Sequence, residues 1–149
     1  MTNKLSKRLL DIVEALPLTE GMRVLEIGCG SGAMAREISE RIGNGHILAI
    51  DRSAKAIKQA ISSSQTEIAN GRLSFKQMAI EKFKLDSHEG EFDIAVAIRV
   101  GALDGRHPEI EKQSLLNIAN ALIKNGKLFI DGGNPIKEIS LDEYRKASR

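Results

Sequence analysis

The run Val24–Gly32 reads VLEIGCGSG and decides the fold of this chain. Its first four residues form a short, mainly apolar strand, three alternating glycines follow, and a helical pattern begins at Ala33. A strand, a glycine-rich turn and a helix in this order form a nucleotide-binding loop. Glycine permits backbone angles that a Cβ would forbid, and the helix directs its free N–H groups at the ligand. The run therefore predicts a nucleotide site at the carboxyl end of the first strand.

Two acidic residues indicate which class of nucleotide the loop is expected to bind. Asp51 ends a second apolar strand, His46–Ile50, where a carboxylate can accept hydrogen bonds from both hydroxyls of a ribose. Glu26 places another carboxylate beside the loop, where it repels a pyrophosphate and attracts an ammonium group. The loop also fits the dinucleotide fingerprint G-x-G-x-x-A, so a nicotinamide- or flavin-dependent oxidoreductase stays open as an alternative. The two acids favour a nucleoside with a cationic, amino-acid-like tail, and S-adenosylmethionine has that chemistry.

With these acids, the run resembles the first motif of the class I S-adenosylmethionine-dependent methyltransferases. Three further segments resemble later parts of that fold, namely AIDRSAKAI (49–57), FDIAVAIRVGAL (92–103) and ALIKNGKLFI (121–130). They resemble the second strand with its ribose-binding acid, the fourth strand, and the fifth strand with the helix and turn before it. The resemblance covers about residues 20–131 and implies S-adenosylmethionine as cofactor and methyl transfer as reaction. A non-catalytic binding subunit of the same fold is a further alternative.

The resemblance assigns cofactor binding to ten positions: Glu26, Gly28, Cys29, Gly30, Gly32, Asp51, Arg52, Ala79, Ile80 and Arg99. Cys29 is interpreted there as a small loop residue and not as a nucleophile. The family's acid after the third strand is missing, so we expect the adenine to contact the backbone of Ala79 or Ile80, or Glu81. No catalytic residue is assigned, because a sulfonium is already an activated methyl donor and the enzyme supplies mainly proximity and orientation.

The methyl acceptor is expected to be a small molecule, because 149 residues leave little room for a substrate domain. The amino-methylating signature, Asn or Asp-Pro-Pro followed by an aromatic residue, is replaced by Ile98–Gly101, which argues against an adenine or glutamine amide acceptor. The loop after the fourth strand carries a polar cluster that would suit a carboxylate or a phosphate, with the first helix as a lid. An ordinary solvated loop is the alternative interpretation of that cluster. Its members are Arg99, Asp104, Arg106 and His107.

Strands alternate with helices along the chain, which predicts a single α/β domain over residues 1–149 with a Rossmann-like, doubly wound, mostly parallel sheet. The expected strands are 24–27, 46–50, 73–78, 92–98 and 127–130, and the main helices are 33–42, 53–69 and 108–123. No strand-like segment is evident after Asp131, so the sheet is expected to lack the last β-hairpin of the methyltransferase family. Residues 136–144 or a second subunit must then cover the edge of the fifth strand, which makes a homodimer an expectation.

The overall composition indicates a small globular domain. A net charge of +2, with 42% hydrophobic and 28% charged residues, gives no reason to expect a nucleic-acid partner. The absence of a long apolar run, and the acids within the N-terminal segment, predict a cytoplasmic protein without a membrane partner. One cysteine excludes an internal disulfide and a cysteine-rich zinc site, and we expect no bound metal.

Overall fold

The sheet of this protein is built around its first and fourth strands. A computed structural model describes residues 5–86, 89–103 and 105–147. Along the chain the elements are α1 (Lys7–Ala15), β1 (Arg23–Ile27), α2 (Ala33–Arg41), β2 (His46–Asp51), α3 (Ala54–Ser62), α4 (Gln65–Ala69), β3 (Leu73–Gln77), β4 (Phe92–Ala97), α5 (Pro108–Ala121), β5 (Leu122–Asp131), β6 (Ile136–Ile139) and α6 (Asp142–Ala147). Two short 3-10 turns, Ile80–Lys82 and Gly101–Leu103, follow β3 and β4.

The strands form one sheet in the order β3-β2-β1-β4-β5-β6. The first five strands are parallel to their neighbours, and β6 pairs antiparallel with β5. The direction in which the chain adds strands reverses between β1 and β4. Ligands of doubly wound sheets bind at such a reversal, outside the carboxyl ends of the strands. The sheet therefore confirms the predicted architecture and opens a crevice directly beyond the glycine run.

Apolar side chains fill both faces of the sheet, because successive strand residues point to opposite sides. Val24 lies in the cluster beneath α1, α2 and α3, whereas Leu25 and Ile27 lie in the cluster beneath α5 and α6. By the same alternation Glu26 points to the face of Val24. The strand thus directs a carboxyl group towards the helix that follows the glycine run.

Two predicted elements differ from the structure by more than two residues. The helix expected over 53–69 is divided, since α3 ends at Ser62 and α4 begins at Gln65. Buried Ser64 lies at the break and its hydroxyl accepts a hydrogen bond from Arg36 at 2.9 Å, a tertiary contact that local sequence does not reveal. The fifth strand is longer than predicted and begins at Leu122, which pairs with Phe92.

The expectation that no strand follows Asp131 is wrong. Residues Ile136–Ile139 form β6 and pair with the last four residues of β5, from Leu128 to Asp131. The strand is only four residues long, and the Gly-Gly-Asn-Pro turn before it obscures its alternation. The described residues therefore add one antiparallel strand, and that strand covers the edge of β5 within the same chain.

No helix among the described residues is long and apolar enough to cross a membrane.

Candidate functional site

The glycine run forms a turn with left-handed backbone angles at three positions. Gly28, Gly30 and Gly32 have φ values of 75°, 55° and 85°. A Cβ on Gly28 would lie 2.9 Å from Val100 Cγ2, and one on Gly32 would lie 3.0 Å from the ring of Phe75. At Gly30 nothing lies within 4 Å of the same position. Two of the glycines are therefore required by packing, and the third leaves open space above the loop.

Asp51 braces this loop from the end of β2. Its Oδ2 accepts a hydrogen bond from the Gly30 N–H at 2.9 Å, and its Oδ1 accepts one from the Ser53 N–H at 2.9 Å. A carboxylate has about four lone-pair sites, so Asp51 keeps acceptor capacity beyond these two bonds. Asp51 lines the crevice, so its remaining lone pairs are available to a ligand that binds there.

Glu26 is buried at the end of β1, with 3% of its surface exposed. Its Oε1 has no hydrogen-bond partner within the part of the chain that the structure describes. Burial, and after it the negative charge of Asp51, raise the pKa of this carboxyl group to about 8, although the positive charge of Arg36 opposes them. A buried acceptor without a partner costs free energy, and an ammonium group is the ligand that would satisfy it.

Arg36 is the functional-site neighbour that the sequence did not single out. It lies in α2, and its guanidinium donates hydrogen bonds to the Ser31 carbonyl at 3.0 Å and to the Ser64 hydroxyl at 2.9 Å. Burial lowers its pKa. The sequence could have identified Arg36 by its position four residues after Gly32, since that spacing places it one helical turn after the loop.

Cys29 contributes little side-chain chemistry to the site. The side chain packs in the buried cluster on the α2 face, and its Sγ lies 3.8 Å from the Gly30 carbonyl oxygen. Burial raises the pKa of the thiol, with smaller contributions from Glu26 and Asp51. A thiol that resists ionisation is a poor nucleophile, so a ligand contact at this position falls to the backbone.

A cavity of about 460 Å³ lies over the ends of β1, β2 and β4. Its volume is typical of small-molecule sites, which span about 300–1,000 Å³. Six of the ten predicted positions line it: Gly28, Asp51, Arg52, Ala79, Ile80 and Arg99. The other four, Glu26, Cys29, Gly30 and Gly32, belong to the end of β1 and the adjoining loop. Among the lining residues that sequence reasoning missed are Met78, Val100, Ala102 and Ile110.

The far end of this first cavity is bounded by the turn after β3. The Ala79 carbonyl accepts a hydrogen bond from the Lys82 N–H, and the Ile80 carbonyl accepts one from the Asn117 side chain at 2.9 Å. Both carbonyl groups are thus already engaged, which favours the N–H groups for any contact with a base. Glu81 lines the cavity as well and remains a second candidate for that contact.

Arg99 occupies a strained position directly after β4. Its φ of 59° is the left-handed conformation that a non-glycine residue adopts only when its surroundings impose it. The Arg99 N–H donates to Asp131 Oδ1 at 3.1 Å, and Asp131 Oδ2 pairs with Arg8 of α1 at 3.3 Å. Asp131 therefore holds the loop after β4 and the first helix together.

A second cavity, of about 470 Å³, lies over the ends of β4 and β5 beside β6. It shares Arg99, Val100 and Gly101 with the first cavity, so this loop forms a wall between the two. The predicted polar cluster is divided by this wall, because Arg106 lines the second cavity and His107 lines the first.

The remaining expectations for the acceptor side concern Asp104 and the first helix. Asp104 lies outside the described residues. The first helix is not seen as a lid, since no described residue of α1 lines either cavity. The basic residues of α1 are engaged elsewhere, because Lys7 pairs with Asp11 at 3.0 Å and Arg8 pairs with Asp131 at 3.3 Å.

Comparison with known proteins identifies the family. A family model described as a methyltransferase domain matches residues 18–146. The chain belongs to this methyltransferase family. The match confirms the class that the sequence resembles and, at the level of the family, S-adenosylmethionine as its cofactor. The roles of the individual site residues remain predictions.

The chain is similar to methyltransferases of different specificities. It is 27% identical over 121 residues to a mitochondrial ubiquinone biosynthesis O-methyltransferase of Dictyostelium discoideum. It is 33% identical over 128 residues to a probable cobalt-precorrin-6B C(15)-methyltransferase (decarboxylating) of Thermoplasma acidophilum. These matches cover 77% and 81% of this chain but only 36% and 59% of the two relatives. The chain thus spans less than two thirds of the length of either relative.

A solved structure shares the fold of the methyltransferase. The S-adenosylmethionine-dependent methyltransferase from Thiobacillus denitrificans, solved in complex with S-adenosyl-L-homocysteine, aligns with a TM-score of 0.66 at 22% identity. The alignment covers 87% of this chain and 49% of that one. At this identity the likeness establishes the α/β fold, and the predicted fold class is confirmed.

Proposed function

We propose that the methyltransferase transfers a methyl group from S-adenosylmethionine to a small-molecule acceptor. The observation that carries this proposal is the buried carboxyl group of Glu26, whose Oε1 lacks a hydrogen-bond partner among the described residues, together with the open space over Gly30 in the loop that follows β1. An acid buried there offers no attraction to the pyrophosphate of a nicotinamide or flavin cofactor, whereas the ammonium of a methionine would stabilise its ionised form. The acid and the glycine together therefore favour methyl transfer over the oxidoreductase alternative.

The residues present fit the cofactor part by part. Glu26 and the Gly28–Gly32 loop would hold the methionine end, and Asp51 would accept hydrogen bonds from the ribose hydroxyls. Ala79, Ile80 and the apolar wall of the first cavity would surround the adenine. When bound, the cofactor supplies an activated methyl group on a sulfonium. Transfer of that methyl group requires neither a metal ion nor a covalent intermediate with these residues.

The protein itself contributes orientation and exclusion of water. The loop Arg99–Gly101 separates the two cavities, so it borders both the cofactor and the proposed acceptor side. Holding two reactants in a productive geometry can supply about 7–11 kcal/mol of a reaction barrier. His107 lines the first cavity and is the side chain we propose to accept a proton from an oxygen or nitrogen acceptor.

Calorimetry with S-adenosylhomocysteine and NAD tests the cofactor. We expect S-adenosylhomocysteine to bind and NAD not to bind. Gly30→Ala places a methyl group in the open space and should weaken S-adenosylhomocysteine binding by about tenfold or more, which corresponds to about 1.4 kcal/mol.

Gly71→Ala is the matched control. Gly71 has a φ of 79° and, like Gly30, nothing within 4 Å of its Cβ position, but it lies in the turn between α4 and β3. Both substitutions impose a similar backbone strain, so the difference between them reports the ligand. Equal losses of affinity in the two variants, or tighter binding of NAD, would overturn the proposal.

A further inference from the structure

The second cavity collects positive charge from three separate elements. Arg99 follows β4, Arg106 precedes α5, and Lys137 lies on β6. They are far apart in sequence, and none belongs to a charged helix face. Apolar residues complete the lining: Ala97, Val100, Leu103 and Ile130. All three side chains are exposed, but they line one cavity from three separate elements, which distinguishes them from a run of charges along one helix face.

Asp131, the one carboxylate among the described residues that line this cavity, is already compensated. Asp131 pairs with Arg8 at 3.3 Å through Oδ2 and accepts the Arg99 N–H at 3.1 Å through Oδ1. By contrast, the guanidinium of Arg99 and the ammonium of Lys137 have no ion pair or hydrogen bond within residues 5–86, 89–103 and 105–147. The cavity therefore presents an excess of positive charge to any molecule that enters it.

We propose that the second cavity binds the anionic group, a carboxylate or a phosphate, of the methyl acceptor. This proposal rests on the proposed function, since the acceptor must lie next to the cofactor. Arginine offers a planar fork for two oxygens, and lysine adds a compact charge from the opposite strand. The shared wall Arg99–Gly101 places the anchored anion on the other side of the loop from the first cavity. The rest of the acceptor then extends across this loop.

Lys137 was not singled out by sequence analysis, and it offers the sharpest test. It lines the second cavity and not the first, so its replacement should spare cofactor binding. Lys137→Met removes the charge and keeps the length of the side chain, and Lys137→Arg keeps the charge. Lys127→Met is the matched control, because Lys127 is an exposed lysine on the neighbouring strand β5 that lines neither cavity.

The experiment is an NMR titration of protein saturated with S-adenosylhomocysteine. Inorganic phosphate and acetate are added separately, and sodium chloride at equal ionic strength is the reference. We expect saturable shifts at Val100, Gly101 and Lys137 with phosphate, with acetate or with both, and the stronger of the two identifies the anion. Lys137→Met should weaken that binding by about tenfold, whereas Lys137→Arg and Lys127→Met should preserve it.

The outcomes separate this inference from the proposed function. Equal shifts with sodium chloride, or unchanged anion binding in Lys137→Met, would overturn the anion site even if S-adenosylhomocysteine binds normally. Failure of S-adenosylhomocysteine to bind would overturn the proposed function, and the titration without it would still report whether the anion site exists. Loss of S-adenosylhomocysteine binding in Lys137→Met would also contradict the placement of Lys137 outside the cofactor site.

Discussion

Glu26 carries a carboxyl group that the fold places beside a second acid and away from solvent. Its pKa of about 8 lies well above the 4.5 of the same group in water. The folded protein therefore holds a proton that the unfolded chain releases once the pH exceeds about 4.5. The contribution of this group to stability is complete below that pH and is lost as the pH rises through about 8.

We expect the free energy of unfolding to fall between about pH 4.5 and pH 8 more steeply in the wild type than in Glu26→Gln. Glutamine keeps the shape of the side chain but cannot ionise, so the difference between the two curves isolates this carboxyl group. Urea denaturation across the pH range measures both curves. Parallel curves would show that Glu26 ionises as an ordinary surface acid.

The same proton links pH to the cofactor. If Glu26 is ionised when it holds an ammonium, binding of S-adenosylhomocysteine should weaken by about tenfold for each pH unit below about 8. Glu26→Gln should bind more weakly and lose this dependence. Calorimetry in two buffers with different heats of ionisation counts the proton released on binding.

At the scale of elements, β6 and α6 complete the fold after β5. Leu141 joins them and is 1% exposed within the cluster that also contains Leu115 and Ile118. This anchor fixes the position of β6 and, with it, of Lys137 beside the second cavity.

Leu141→Ala should lower the free energy of unfolding by about 2–5 kcal/mol, because it removes buried methyl groups and leaves a cavity. Ile61→Ala is the control, since Ile61 is 39% exposed and its truncation should change stability by no more than about 0.5 kcal/mol. Urea denaturation of both variants measures the difference. Equal stability of the two variants would contradict the docking of β6 and α6 on the sheet.

The elements show which parts of the fold local sequence can predict. The mainly apolar runs of β1, β2 and β4 were predicted because buried parallel strands have largely hydrophobic sequences. β6 was missed, because a four-residue edge strand with Lys137 and Glu138 at its centre carries little apolar signal. The break between α3 and α4 was missed because it depends on the contact of Arg36 with Ser64.

The functional site was predictable to a similar extent and for a related reason. The glycine run, Glu26 and Asp51 are adjacent to the strands that place them, so their relation could be read along the chain. The second cavity unites Arg106 with Lys137, which are brought together only by the pairing of β5 with β6. Its composition could not be predicted without that pairing.

At the scale of the whole molecule, the reason given for a homodimer no longer holds. A second subunit was expected because the edge of β5 was predicted to be uncovered. In the structure β6 covers that edge within the chain. The new edge is a short strand whose central residues, Lys137 and Glu138, are exposed and charged. Short charged edges discourage pairing with another sheet.

We therefore expect sedimentation equilibrium to show a monomer at concentrations in the range of tens of micromolar. Lys137→Val with Glu138→Val is the informative variant, because it makes the β6 edge apolar and should promote association. A dimer of the wild-type chain in this range would restore the homodimer, with β6 or another surface as its contact.

The wall Arg99–Gly101 borders both cavities, and this arrangement has a thermodynamic consequence. Whatever position this segment adopts around a molecule in one cavity is also the position that the other cavity presents to its own molecule. Two binding sites that share a wall are energetically coupled when the position of that wall affects both. By linkage, the effect of the first ligand on the second equals the effect of the second on the first. Donor and acceptor should consequently change each other's affinity by equal factors, whichever binds first.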